Sequence, residues 1–211
     1  MVRVKTGLRL LNLTDFLKGN FKIMDASNTK NIYIVITQTG TVLSRILKRI
    51  TKAEYNHVSL GLSEDLQTLY SFGRKFARNP FIGGFIIESP NYGTFKHFSN
   101  TKALVLALPI ENEKFEAISE YINDMVSNRK KYKYNYFGLW FAAFNLCLKF
   151  NNRYYCSEFV RDVLKKIEIE GSDKMEDIVQ PIHFLDIPNT TEYYCGKLSK
   201  FADKNYVYTY K

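Results

Sequence analysis

Few side chains in this 211-residue chain are suited to covalent chemistry near neutral pH: three cysteines (Cys147, Cys156, Cys195) and three histidines (His57, His97, His183). Cys156 stands where the best-patterned helix of the sequence begins. It follows the non-helical stretch NNRYY and precedes Phe159, Val160, Val163, Leu164 and Ile167, which recur on one helical face. A thiol in a first turn faces unpaired backbone N–H groups and the positive end of the helix dipole, both of which stabilise thiolate. The plain alternative is a small buried hydrophobe, the commonest use of a free cysteine.

His57 opens the alternating run HVSLGL. Period two puts Val58, Leu60 and Leu62 on one face of a strand and His57, Ser59 and Gly61 on the other. Small neighbours leave room for a second group to approach the imidazole, as a Cys–His dyad needs. His97 and His183 have no comparable setting and read as structural or exposed. Cys147, inside an apolar segment, and Cys195, after two tyrosines, read as packing residues.

The elements that would position these residues follow from periodicity. IYIVIT, from about residue 32, is a β-branched run expected to form a buried strand, with a turn over Thr37–Gly40 and a helix over about 41–53. The HVSLGL strand turns at Ser63–Leu66 and returns as a hairpin partner over Thr68–Phe72. A loop is expected over Arg74–Gly84, then strands at Phe85–Ile87 and Ala103–Leu108. Phe115, Ile118, Ile122, Met125 and Val126 mark a helix over about 111–127. A buried aromatic helix is expected from near Asn135, then the Cys156 helix, then a strand over Glu192–Leu198. Strands grouped before helices indicate an α+β fold.

Composition bounds the rest. Hydrophobic residues make up 45% and charged residues 24%, which excludes a disordered or collagen-like chain. No Pro/Gly/Ser-rich stretch divides the sequence, so residues 32–211 read as one compact domain and residues 1–31 as an N-terminal arm or helix. Three cysteines cannot all pair within one chain, and no zinc-type C-x-x-C occurs, so neither a metal nor another cofactor is expected. The basic N-terminus is a poor signal peptide because Arg9, Asn12 and Asp15 break its apolar run. The longest apolar stretch, Tyr136 to Phe150, falls short of the roughly 20 residues of a membrane span. The expected location is therefore a reducing, cytoplasmic one. A net charge of +9 suits an anionic membrane surface or another polyanion, although the basic residues look scattered along the chain. Nucleic acid is not expected as a partner, since no recognised binding motif accompanies the charge. The oligomeric state stays open.

Asn56-His57-Val58-Ser59-Leu60-Gly61-Leu62, the returning Tyr70-Ser71-Phe72 and the later Tyr155-Cys156-Ser157-Glu158-Phe159-Val160 resemble the NlpC-type papain-like superfamily. Histidine precedes cysteine here, the order of its circularly permuted branch, which includes YiiX-like proteins and relatives of lecithin retinol acyltransferase. The resemblance spans about residues 32–185. It implies a small antiparallel sheet packed against helices, with a Cys156 nucleophile facing His57. It implies a cysteine hydrolase of the thiol-protease or amidase kind, acting on a small peptide or an acyl substrate through an amide, ester or thioester bond. A cell-wall-type peptide is the broad precedent, and a lipid-acting acyltransferase or hydrolase the alternative. The residue expected to orient the imidazole falls by position on Ser71, where related permuted proteins often carry glutamate. Glu88, at the end of FIIE, is the substitute. Gln38 is a candidate oxyanion donor, or a plain turn residue. The missing glutamate at 71 also admits a weakly active protein that binds a peptide or amino acid.

Overall fold

The computed structural model describes residues 28–39, 54–76, 79–142, 144 and 146–201. Residues 1–27 of the expected arm and the helix expected over 41–53 lie outside the described residues. The first strand starts at Thr29, so residues 29–31 belong to the sheet and not to an arm.

The architecture is α+β. Among the described residues eight strands form one sheet: β1 (Thr29–Gln38), β2 (His57–Gly61), β3 (Leu69–Phe76), β4 (Asn79–Glu88), β5 (Lys102–Glu111), β6 (Lys133–Tyr134), β7 (Arg153–Tyr154) and β8 (Thr191–Lys197). Their spatial order is β7-β6-β4-β3-β2-β1-β5-β8, and every pairing is antiparallel except β6 with β7. The helices among the described residues are α1 (Gly93–His97), α2 (Asn112–Ser127), α3 (Tyr136–Ala142) and α4 (Cys156–Lys166), with a 3-10 turn at Pro181–Asp186. Among the described residues no helix is long and apolar enough to cross a membrane.

The sheet is larger than the small one expected because the segment read as a loop over Arg74–Gly84 is mostly strand. β3 runs on to Phe76 and β4 starts at Asn79, with Gly73 paired to Gly84 and Arg74 to Gly83. Glycines that look like loop punctuation are here sites of close packing. A Cβ at Gly83 would lie 2.7 Å from the Tyr134 Cβ, and one at Gly84 would lie 2.6 Å from the Tyr132 carbonyl oxygen.

Both faces of the central strands are covered. Ile32, Ile34, Ile36, Val58, Leu60 and Phe72 pack with α2 and α4 in one core. Tyr33, Val35, Leu69, Ala103 and Val105 pack with Phe95 of α1, Leu198 and Phe201 in a second. This explains why IYIVIT is apolar throughout where a strand open to solvent on one face would alternate. The turn expected at Thr37–Gly40 does not start at Thr37, since Thr37 and Gln38 are paired strand residues.

α4 is buried nearly all round, including Ser157, Glu158 and Arg161. Arg161 is satisfied inside: its guanidinium donates to the Glu176 and Asp177 carbonyls and pairs with the Asp162 carboxylate at 2.6 Å. The Glu158 carboxylate accepts from the Tyr155 N–H just before the helix, closing its first turn.

The aromatic segment after β6 departs most from expectation. α3 is short, and Phe137, Trp140, Phe141 and Phe144 are exposed where a buried helix was expected. Cys147 and Cys195 are exposed too, so neither is a packing residue.

Candidate active site

His57 is set at the first position of β2 by ties to the end of β1. The Asn56 N–H donates to the Thr37 carbonyl at 3.1 Å, and the Asn56 side-chain oxygen accepts from the Thr39 N–H and hydroxyl, each at 3.2 Å. From there the imidazole reaches toward β3 and β4. Gly73 of β3 leaves it space, since a Cβ there would lie 3.7 Å from the ring Cε1. Phe95 of α1 lies beside the ring, 6.3 Å between centroids.

Glu88, the last residue of β4, meets the histidine. His57 Nε2 lies 2.8 Å from Glu88 Oε2. The Ser59 hydroxyl donates to the same carboxylate oxygen at 2.8 Å and lies 3.3 Å from Nε2. Both side chains are largely withdrawn from water, 13% exposed for His57 and 9% for Glu88. Burial alone would lower the imidazole pKa. The Glu88 charge, hydrogen bonds with Cys156 and Glu88, and the charge of a Cys156 thiolate outweigh it and raise the value to about 10. Cys156 and His57, far apart in sequence, are therefore neighbours. With Nε2 engaged by Glu88, Nδ1 is the ring nitrogen that the carboxylate does not hold.

Cys156 is the first residue of α4 and is 5% exposed. Tyr134 of β6 lies next to it. Burial and the Cys156 charge hold the Tyr134 phenol well above its ordinary pKa, so it stays a neutral hydroxyl. Tyr134 escaped the sequence reading because a two-residue strand has no periodicity to reveal it.

Ser71 does not take the position expected of it. It is fully buried, and its hydroxyl donates to the Val58 carbonyl at 2.7 Å. A short side chain on the neighbouring strand finds a backbone acceptor at once, whereas the longer Glu88 spans to the imidazole from one strand further away. Gln38 is the last residue of β1, paired with Lys102, and not a turn residue. Its neighbour Thr37 pairs with His57, and the Thr37 hydroxyl is buried with no hydrogen-bond partner among the described residues. His183 sits in the 3-10 turn, its Nδ1 accepting from the Gln180 N–H, and His97 ends α1.

Among the described residues no group of three or more His, Cys, Asp or Glu side chains is arranged to hold a metal ion. Chemically, the arrangement offers a thiol at a helix start, an imidazole held in the protonated form and a carboxylate behind it. Compared with protein-family models, curated proteins and solved structures, the chain gives no match.

Proposed function

We propose that the chain is a cysteine hydrolase of the circularly permuted NlpC-type papain-like class, with Cys156 as nucleophile, His57 as base and acid, and Glu88 as the residue that orients the imidazole. The observation that carries this reading is the 2.8 Å contact between His57 Nε2 and Glu88 Oε2. It fixes one ring nitrogen as a donor to a carboxylate and leaves the other for the thiol that opens α4.

The proton of Cys156 passes to His57, giving a thiolate–imidazolium pair that Glu88 stabilises by charge. The thiolate attacks the carbonyl carbon of an amide, ester or thioester. The first-turn N–H groups of α4, which have no intrahelical acceptors, face the developing oxyanion. The imidazolium returns its proton to the leaving amine, alcohol or thiol, forming an S-acyl Cys156. Water, deprotonated by His57, then hydrolyses the thioester, and the thiol reforms. The exposed aromatic face beside β6 supports a lipid-derived acyl group as a second reading of the substrate. The binding-only alternative rested on serine replacing glutamate at position 71, and a carboxylate supplied from β4 weakens it.

The reading is tested with p-nitrophenyl acetate, a generic acyl donor. The intact protein should release p-nitrophenol in a burst and carry an acetyl group on Cys156 in the peptide map. The His57→Ala variant should lose the burst while keeping its circular-dichroism spectrum. Acetylation confined to Cys147 or Cys195, or a burst unchanged in His57→Ala, would overturn it.

A further inference from the structure

We infer that α3 and the segment that returns from it to β7 form a docking surface for a phospholipid membrane bearing anionic headgroups. Phe137, Trp140 and Phe141 recur at i, i+3 and i+4, the spacing of one helical face, and Phe144 continues the stripe. In a soluble domain such a stripe faces the core. Here it faces outward: Phe137 and Phe144 are each 68% exposed, and Trp140, Phe141, Leu146 and Phe150 are exposed with them. A contiguous aromatic patch of this kind marks an interaction site.

The patch is built, not frayed. Asn135 is buried between β6 and α3, where its side chain accepts from the Gly138 N–H at 2.8 Å and donates to the Leu148 carbonyl at 3.0 Å. It ties the start of α3 to the returning chain. Gly138 is required for this, since a Cβ there would lie 2.1 Å from Asn135 Nδ2. Asn135 and the half-buried Tyr136, Leu139 and Ala142, which pack on the core, take the inward side of α3 and leave the aromatic side to solvent.

Charge selects the partner. Residues 129–153 hold six basic residues (Arg129, Lys130, Lys131, Lys133, Lys149, Arg153) and no acidic one. All six are exposed. Lys149 pairs with Asp177, which leaves the cluster before β6 and Arg153 of β7 to supply the field. The fold brings the two ends of the segment together, because Lys133 of β6 pairs directly with Arg153 of β7. Basic residues that look scattered in the sequence therefore frame the aromatic patch. Cationic side chains bordering Trp, Phe and Leu are what an interfacial segment presents to anionic lipid: the rings enter the headgroup–acyl boundary while the cations stay at the phosphates. A second copy of this chain would bring the same positive frame against itself. The docking requires nothing of Cys156, so it stands or falls apart from the catalytic reading.

Trp140 is the sole tryptophan of the chain and reports the encounter directly. The full chain is mixed with vesicles of phosphatidylcholine alone, or with about a third phosphatidylserine. Trp140 emission should shift to the blue and the protein should co-sediment with the phosphatidylserine vesicles, weakly or not at all with the neutral ones, and less as salt rises. Phe137→Ser with Phe144→Ser should abolish the shift. Lys130→Glu with Lys131→Glu should weaken binding by more than tenfold, on the basis of about fivefold for each basic residue near the surface. All four positions are exposed, and circular dichroism verifies that the variants stay folded. Absence of any shift or co-sedimentation with phosphatidylserine vesicles would overturn the inference. So would a dimer in sedimentation equilibrium that only the phenylalanine variant dissociates.

Discussion

Glu88 Oε2 lies 2.8 Å from His57 Nε2, although β3 separates the two strands that carry them. One carboxylate oxygen takes both the imidazole and the Ser59 hydroxyl, so the ring is held through Nε2. Replacing Glu88 by Gln keeps the size and removes the largest of the contributions that together outweigh desolvation of the imidazolium. Glu88→Gln should slow iodoacetamide alkylation of Cys156 at pH 7 by about tenfold or more, because charge-assisted hydrogen bonds are roughly twice as strong as neutral ones. Mass-spectrometric counting of modified Cys156 peptide against time reads this out. An unchanged rate would remove Glu88 from the site.

Ser71 should behave as a structural residue. Ser71→Ala leaves the Val58 carbonyl without this donor in a fully buried place, which should cost about 1–3 kcal/mol in urea unfolding. The alkylation rate of Cys156 should not change. A slowed Cys156 in a variant of normal stability would return Ser71 to the role of imidazole partner.

Stability should fall with rising pH in two windows. The His57 value is raised from 6.5 to about 10, so the folded state binds a proton that the unfolded state releases. That contribution is fully present below pH 6.5 and is lost as pH rises towards 10. It reaches about 1.4 kcal/mol per unit only where Cys156 is not itself the source of the proton, since a proton passed from Cys156 to His57 leaves the count unchanged. Glu158 is raised from 4.5 to about 6, burial outweighing the Tyr155 N–H and the Arg161 charge. Its neutral form is favoured in the fold, so stability also declines as pH rises from 4.5 through 6. Urea midpoints across pH 4–10 should show both declines, the upper one flattened in Glu88→Gln and the lower one in Glu158→Gln.

What could be read from residues alone was set by periodicity. The β-branched run at 32–37, the alternation after His57 and the apolar stripes of α2 and α4 each encode a face, and each formed the element expected. β6 and β7, at two residues each, encode nothing of the kind, yet they place Tyr134 beside Cys156. The choice between Ser71 and Glu88 was open because it depends on reach across β3, a property of strand order rather than spacing. The α3 stripe has the same helical period as a core helix. Only the buried Asn135 beneath it reveals that it faces outward, and that contact joins residues 13 apart along the chain.

The most direct measurement of the central claim uses a chain in which exposed Cys147 and Cys195 are serine, so that Cys156 alone reports. Its alkylation by iodoacetamide is timed at pH 7 with and without His57→Ala. If His57 and Cys156 form a thiolate–imidazolium pair, removing the imidazole should slow the reaction by about tenfold or more, since thiolate and not thiol is the nucleophile. A rate unchanged or raised by His57→Ala, in a variant whose circular dichroism is intact, would contradict the account.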